Sequence, residues 1–290
     1  MAYLHIDNLY KAQEILAFKE CYALEKIHGT SAHIHWRGKT LRFFAGGVSY
    51  ETFLALFDTE ALTAALKANV EADCTIYGEA YGGKCQGMNK TYGSSIRFVA
   101  FDVKIGESWL SVPQAHQIVK TTGLDFVHYL MVPTSLQSLD AERDAPSVQA
   151  VKNGISEPKI REGVVLRPPY EATLNNGKRI IAKHKRPEFR ERQSIPEIDP
   201  TKRHILENAV AVALEWVTPN RLAHVLDKLV GEKDISLTGT VIQAMVDDVL
   251  REAEGEIVTE KAVQRAIGGR AAKLYKAWLA STLGHHETPV

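Results

Sequence analysis

The stretch Glu25-Lys26-Ile27-His28-Gly29-Thr30 sets one lysine ahead of a glycine, with polar neighbours, after the mostly apolar Leu16–Phe18 and Tyr22–Leu24. Apolar segments that end at such a loop can deliver an amine to a cleft. A lysine is protonated at neutral pH, with a reference pKa of about 10.4, so a nucleophilic role requires desolvation or neighbouring positive charge. That charge has to come from elsewhere in the chain.

Working outward, Ala32, Ile34 and Trp36 alternate with His33, His35 and Arg37, and the stretch to Phe44 before Gly46-Gly47 reads as a hairpin. From Tyr50 to Val70 the spacing of Phe53, Leu54, Phe57, Leu62, Leu66 and Val70 predicts one amphipathic helix. Strands are expected at Cys74–Tyr77 and Arg97–Val103, around a glycine-rich loop from Gly78 to Gly93. A helix follows at Val112–Thr122, then a strand at Phe126–Met131. Ser138–Ser156 has no clear period and reads as helix or loop. Glu162–Arg167 and Arg179–Lys185 are β-branched and read as a hairpin with a long loop through Pro168-Pro169 and Asn175-Asn176-Gly177.

Arg186–Pro200 carries Pro187, Pro196 and Pro200 among charges, the composition of a linker. Beyond it Ile205–Val217, Asn220–Leu229, Leu237–Ala253 and Thr259–Leu283 have helical periods. The fold class expected is α+β: an N-terminal domain over 1–195, with 186–200 as linker, and a small all-α domain over 201–290.

The 290 residues are 45% hydrophobic and 24% charged with zero formal net charge, so attraction for nucleic acid must come from local clusters. Three cysteines without CxxC spacing argue against a disulfide framework or structural zinc. No basic leader precedes an apolar run, and no stretch approaches the roughly 20 apolar residues of a membrane span. A cytoplasmic protein with no membrane partner is expected.

Period-two alternation puts Lys183 and Lys185 on one strand face, about 7 Å apart, where both ammoniums can enter one cleft or face solvent at a sheet edge. Arg161-Glu162-Gly163-Val164-Val165-Leu166-Arg167 sets a carboxylate and a guanidinium at opposite ends of an apolar strand, and glycine beside the acid permits close backbone approach. A carboxylate near phosphates implies a divalent cation.

Lys26-Ile27-His28-Gly29, Phe101-Asp102, Glu162-Gly163-Val164-Val165 and Lys183-His184-Lys185, in this order over about 160 residues, resemble nucleotidyltransferase motifs I, III, IV and V of the ATP-dependent polynucleotide ligases. Glu-Lys-Ile-His-Gly-Thr is most similar to the phage RNA ligase 2 family, which includes the RNA-editing ligases of kinetoplastids. The resemblance implies an adenylation domain with antiparallel sheets in which Lys26 attacks the α-phosphate of ATP, expels pyrophosphate and holds AMP. It implies transfer of AMP to an RNA 5′-phosphate and sealing by a 3′-hydroxyl, at nicked duplexes. Lys183 and Lys185 match lysines that neutralise phosphate, and Glu162 matches the acid linked to Mg2+ or Mn2+.

By the same resemblance Glu25, Ile27, His28, Glu79, Phe101, Asp102 and Arg167 surround the nucleotide, with Glu79 near the ribose and Phe101 stacked on adenine. In a regular strand Phe101 and Asp102 face opposite ways, and Phe101 between Val99 and Val103 also reads as a core aromatic. Arg167 stands where relatives often carry lysine, and parity puts it opposite Glu162 unless a bulge intervenes. Ser31 stands where relatives often have asparagine. In Arg42-Phe43-Phe44-Ala45-Gly46-Gly47, Arg42 takes the place of a basic pair linked to RNA, and Arg186, Arg190 and Arg192 extend a phosphate track or a solvated hinge. A monomer is expected, and no protein partner is indicated. The rival readings are a DNA ligase or GTP-using capping enzyme, which usually carry an OB-type β domain after motif V, and a non-catalytic RNA-binding protein of the same fold.

Overall fold

A computed structural model describes residues 3–192 and 209–283. In chain order the elements are strands β1 (Glu20–Lys26), β2 (Thr30–Arg37) and β3 (Thr40–Phe44), helices α1 (Tyr50–Leu54) and α2 (Thr59–Asn69), and β4 (Cys74–Gly82). Then come α3 (Asn89–Tyr92), β5 (Ile96–Ile105), β6 (Ser108–Trp109), α4 (Val112–Thr121), β7 (Tyr129–Pro133), α5 (Leu136–Asp144) and α6 (Val148–Lys152). Strands β8 (Gly163–Arg167) and β9 (Ala182–Lys185) complete the first part, and α7 (Ala209–Trp216), α8 (Pro219–Lys228), α9 (Thr238–Glu252) and α10 (Lys261–Leu283) follow. The chain divides into two compact units, Met1–Glu188 and Phe189–Val290. Pro196, Pro200, the boundary expected at 195–201 and the start of the helix expected from Ile205 lie outside the described residues.

The first unit holds two antiparallel sheets, in strand order β7-β1-β8-β9 and β3-β2-β4-β5-β6. This is the α+β class with antiparallel sheets. On β2 Ile34 and Trp36 are buried with Ile76, Val99 and Val103 against Leu62 and Leu66 of α2 and Val112 and Val119 of α4, although His33 on the other face is buried as well. Fully burying side chains of this size contributes about 1.5–3 kcal/mol each.

Three expectations need correction, and a fourth that stood open between helix and loop is resolved. Tyr50–Val70 is two helices, because the Asp58 carboxylate accepts from the Glu60 and Ala61 amides and starts α2 afresh. The strand from Cys74 runs on to Gly82, past a bulge at Tyr77/Gly78, so the expected loop is shorter. The strand placed at Phe126–Met131 is Tyr129–Pro133, with Phe126 making only an isolated bridge to Ala100. Ser138–Ser156 overlaps two short helices, each opened by a serine whose hydroxyl accepts from the third following amide, Ser135 from Ser138 and Ser147 from Ala150.

In the second unit the helices close on Val212, Trp216, Leu222, Val225, Met245, Val249, Ile267 and Tyr275. Thr218 caps α8 ahead of Pro219. The Trp216 ring has the Arg192 and Arg221 guanidiniums at 4.7 and 5.4 Å.

Candidate active site

Lys26 ends β1 in the first sheet and Thr30 opens β2 in the second, so Ile27-His28-Gly29 is the crossing between them. The crossing is tight. A Cβ on Gly29 would lie 2.3 Å from the Ala80 carbonyl oxygen and 2.9 Å from the Glu79 side chain, which leaves room for glycine alone. The Gly29 amide donates to Glu79 Oε1 at 3.2 Å, and the His28 amide donates to the Tyr92 hydroxyl at 3.4 Å.

Glu162 is the centre of the cleft. Its buried carboxylate receives Lys26 Nζ at 2.9 Å and His28 Nδ1 at 3.2 Å on Oε2, and Lys185 Nζ at 2.9 Å on Oε1. The β8–β9 register brings this about, since Gly163 pairs with Lys185 and Val165 with Lys183. Gly163 is required where it stands: at φ +152° a Cβ would meet the His184 carbonyl oxygen at 2.1 Å. Burial would raise the Glu162 pKa, but the charges of Lys185, Lys26 and His28 override it and hold the carboxyl well below its usual range. Glu79 goes the other way. Burial pushes it up to about 8 against the pull of Lys26, and nearby Glu162 adds to the rise, so at neutral pH it keeps its proton.

The other expected positions fall into distinct settings. The Glu25 side chain leaves the cleft: it accepts from Ser147 Oγ at 2.5 Å and from the Val148 and Gln149 amides at 3.0 and 3.1 Å, fixing β1 to the start of α6. Strand alternation forces this, because Lys26 takes the opposite face. Ile27 packs in the core. Lys183 shares the β9 face of Lys185, and its amide and carbonyl pair with Asp7 and Leu9.

Asp102 is fully buried and spent on protein partners. Oδ1 accepts from Arg167 at 2.8 Å and the Val103 amide at 2.9 Å, and Oδ2 from Arg179 and the Tyr3 hydroxyl, each at 2.7 Å. Arg167 also binds Glu171 and the Leu110 carbonyl oxygen. Neither Asp102 nor Arg167 thus reaches the Glu162 cluster. The expected opposition of Phe101 and Asp102 also fails: the bulge leaves Phe101 out of the Tyr77↔Asp102, Gly78↔Ala100 register, and both side chains touch Tyr3. Arg42 is exposed on β3, opposite His35. Arg186 is drawn to Asp144 and Glu188, and Arg190 belongs to the second unit, where its carbonyl accepts from Asn220.

The family model described as RNA ligase matches residues 19–185, more than half of the chain. The chain belongs to the RNA ligase family. Among solved structures, this RNA ligase family member is similar to an arginine-to-alanine variant of the Naegleria gruberi RNA ligase with ATP and Mn, at 15% identity and a TM-score of 0.51, covering 65% of this chain and 57% of that one. A glutamate-to-alanine variant of the same ligase with AMP and Mn matches at 14% identity and a TM-score of 0.50, covering 64% and 56%. At these identities the likeness is one of fold, and the matched part spans just over half of the Naegleria chains.

Sequence reasoning missed Tyr3, Ser147, Tyr92 and Arg179. Only Ser147 left a local signal, as a cap before Val148. The others work through partners between 64 and 99 positions away, as in His28–Tyr92 and Tyr3–Asp102, or 77 for Arg179–Asp102.

Proposed function

We propose that this RNA ligase family member is an ATP-dependent RNA ligase that works through a covalent Lys26–AMP intermediate. The observation that carries the reading is the convergence of Lys26, His28 and Lys185 on the buried Glu162 carboxylate, with Glu79 packed against Gly29. Lys26 Nζ, freed of a proton, forms a bond to the α-phosphorus of ATP while the bond to the pyrophosphate oxygen breaks. Lys183 and Lys185 bring positive charge to the phosphates, and a protonated Glu79 offers both a donor and an acceptor to a ribose hydroxyl. AMP then passes to an RNA 5′-phosphate, and a 3′-hydroxyl displaces it to form the phosphodiester.

A divalent cation fits this cleft in one manner. Among the described residues no three His, Cys, Asp or Glu side chains form a metal-binding group, but Mg2+ is commonly held by one or two carboxylates with substrate phosphates and water. Glu162 is the donor on hand, and the cation would neutralise phosphate charge. The Naegleria ligase structures with ATP or AMP and Mn support ATP and a divalent metal as cofactors. The helical second unit, in place of an OB-type domain, favours an RNA ligase over a DNA ligase or capping enzyme. The working assignment keeps domains over 1–195 and 201–290 with 186–200 as a linker region, and takes a monomer acting in the cytoplasm at nicked duplexes. No helix among the described residues is long and apolar enough to cross a membrane.

Incubation with α-labelled ATP and Mg2+ is expected to label the protein and release pyrophosphate. Lys26→Ala should lower labelling by at least about 1,000-fold; full labelling of that variant sinks the mechanism. Comparing RNA with DNA strands at the nick, and ATP with GTP, tests the substrate.

A further inference from the structure

Residues 3–9 are fastened to both sheets of the first unit. On the second sheet, the Tyr3 hydroxyl donates to Asp102 and its ring lies 4.9 Å from Phe101, edge-on at 78°, with Tyr77 at 5.0 Å and Trp109 at 5.6 Å. On the first sheet, the Lys183 amide donates to the Asp7 carbonyl oxygen and the Leu9 amide to the Lys183 carbonyl oxygen, each at 2.8 Å. The buried Asp7 carboxylate is in turn bound by Lys178, with His5 at 3.4 Å and Lys11 at 3.6 Å.

Phe101 needs such support. It sits at the bulge, where the pleat no longer dictates side-chain direction, and is held by the core cluster it packs against and by the Tyr3 ring. Asp102 has four donors for its two oxygens, two guanidiniums among them, so it serves to hold Tyr3 rather than a ligand. Burial and the Asp102 charge keep the Tyr3 phenol well above its usual pKa, so it remains a hydrogen-bond donor.

We propose that Tyr3 is a positioning residue for nucleotide binding, acting through Phe101 on one wall and, through the segment it begins, on Lys183 of the other. The proposal rests on the reading of Phe101 and Lys183 as nucleotide contacts. An edge-to-face ring pair and an ordinary hydrogen bond each correspond to about three- to tenfold in affinity.

The test uses the full chain. ATP binding in Mg2+ is measured by calorimetry on the Lys26→Ala protein, which forms no adduct, and adduct formation is timed with Lys26 present. Tyr3→Leu is expected to weaken ATP about tenfold, and Tyr3→Phe, which keeps the ring, about threefold. The adduct rate at saturating ATP should stay within about twofold of the parent. A natively folded Tyr3→Leu protein that binds ATP as the parent does overturns the proposal, as does a fall in saturating rate at unchanged affinity. If Tyr3→Leu does not fold, Tyr3→Phe decides, and unchanged ATP affinity there overturns it. Failure of the Lys26→Ala parent to bind ATP removes the nucleotide reading itself.

Discussion

Two buried carboxylates, Glu162 and Asp102, each sit between two cationic side chains, yet the two clusters are built for different ends. Around Glu162 the cations are lysines with a histidine beside them, and the cluster opens to solvent, with the Lys26 side chain 23% exposed. Around Asp102 they are arginines, 2% and 6% exposed, and a tyrosine hydroxyl takes the remaining direction. An ammonium is a point charge on a flexible stem that can change partners, whereas a guanidinium is a planar fork that fixes geometry. The first cluster can therefore exchange its carboxylate for phosphate, while the second locks the two sheets together.

Removing the carboxylates one at a time should separate these roles. Asp102→Ala leaves two buried guanidiniums with Glu171 as their one remaining shared anion and is expected to cost about 3–5 kcal/mol of stability, read by denaturant unfolding. Glu162→Gln is expected to cut adduct formation roughly 100-fold by misplacing Lys26 and Lys185, and to cost less stability than Asp102→Ala because the 23% exposed Lys26 can turn to water. Equal losses of stability in the two variants would erase the distinction drawn here. Arg167→Lys tests the choice of cation. A lysine cannot reach Asp102, Glu171 and the Leu110 carbonyl oxygen together, so about 1–2 kcal/mol of stability should go, with ATP affinity changed less than in Glu162→Gln.

The last contrast is in pH dependence, and it lies between two acids of the same cleft. Glu79 has a folded pKa of about 8 against 4.5 unperturbed, so its stabilising contribution is present in full below 4.5 and is lost as pH rises through about 8. Glu162 has the opposite sign. Its contribution is present above 4.5 and is lost as pH falls through its lowered folded value. Glu79→Gln should flatten the decline of melting temperature between those limits, and a decline that persists unchanged assigns the proton to another group.

Much of the Glu162 cluster was legible in the sequence, because it is built from strand register. Glycine after the acid and two lysines at i and i+2 in a β-branched hairpin suffice to put Glu162 and Lys185 together. The fold class followed from the same alternation, together with helical spacing after the linker. What stayed hidden depends on irregularity or distance. The bulge that lets Phe101 and Asp102 share Tyr3 leaves no trace in a period of two. The resemblance placed Glu25 at the nucleotide, yet its position beside Lys26 on the strand turns its side chain toward Ser147, 122 positions away. The helix from Tyr50 was read through Asp58, since an apolar stripe outweighed a capping residue.

The crossing at Ile27-His28-Gly29 bears on when this protein can become active during its synthesis. Lys26 emerges 136 residues ahead of Glu162, and the strands that carry them are neighbours in one sheet. A nascent chain short of β8 holds its lysine without a counter-ion and without the wall that Lys183 and Lys185 share. On the proposed Lys26–AMP reading, the ribosome must finish nearly all of the first unit before the nucleophile has a site, and an incomplete chain would have no means to consume ATP.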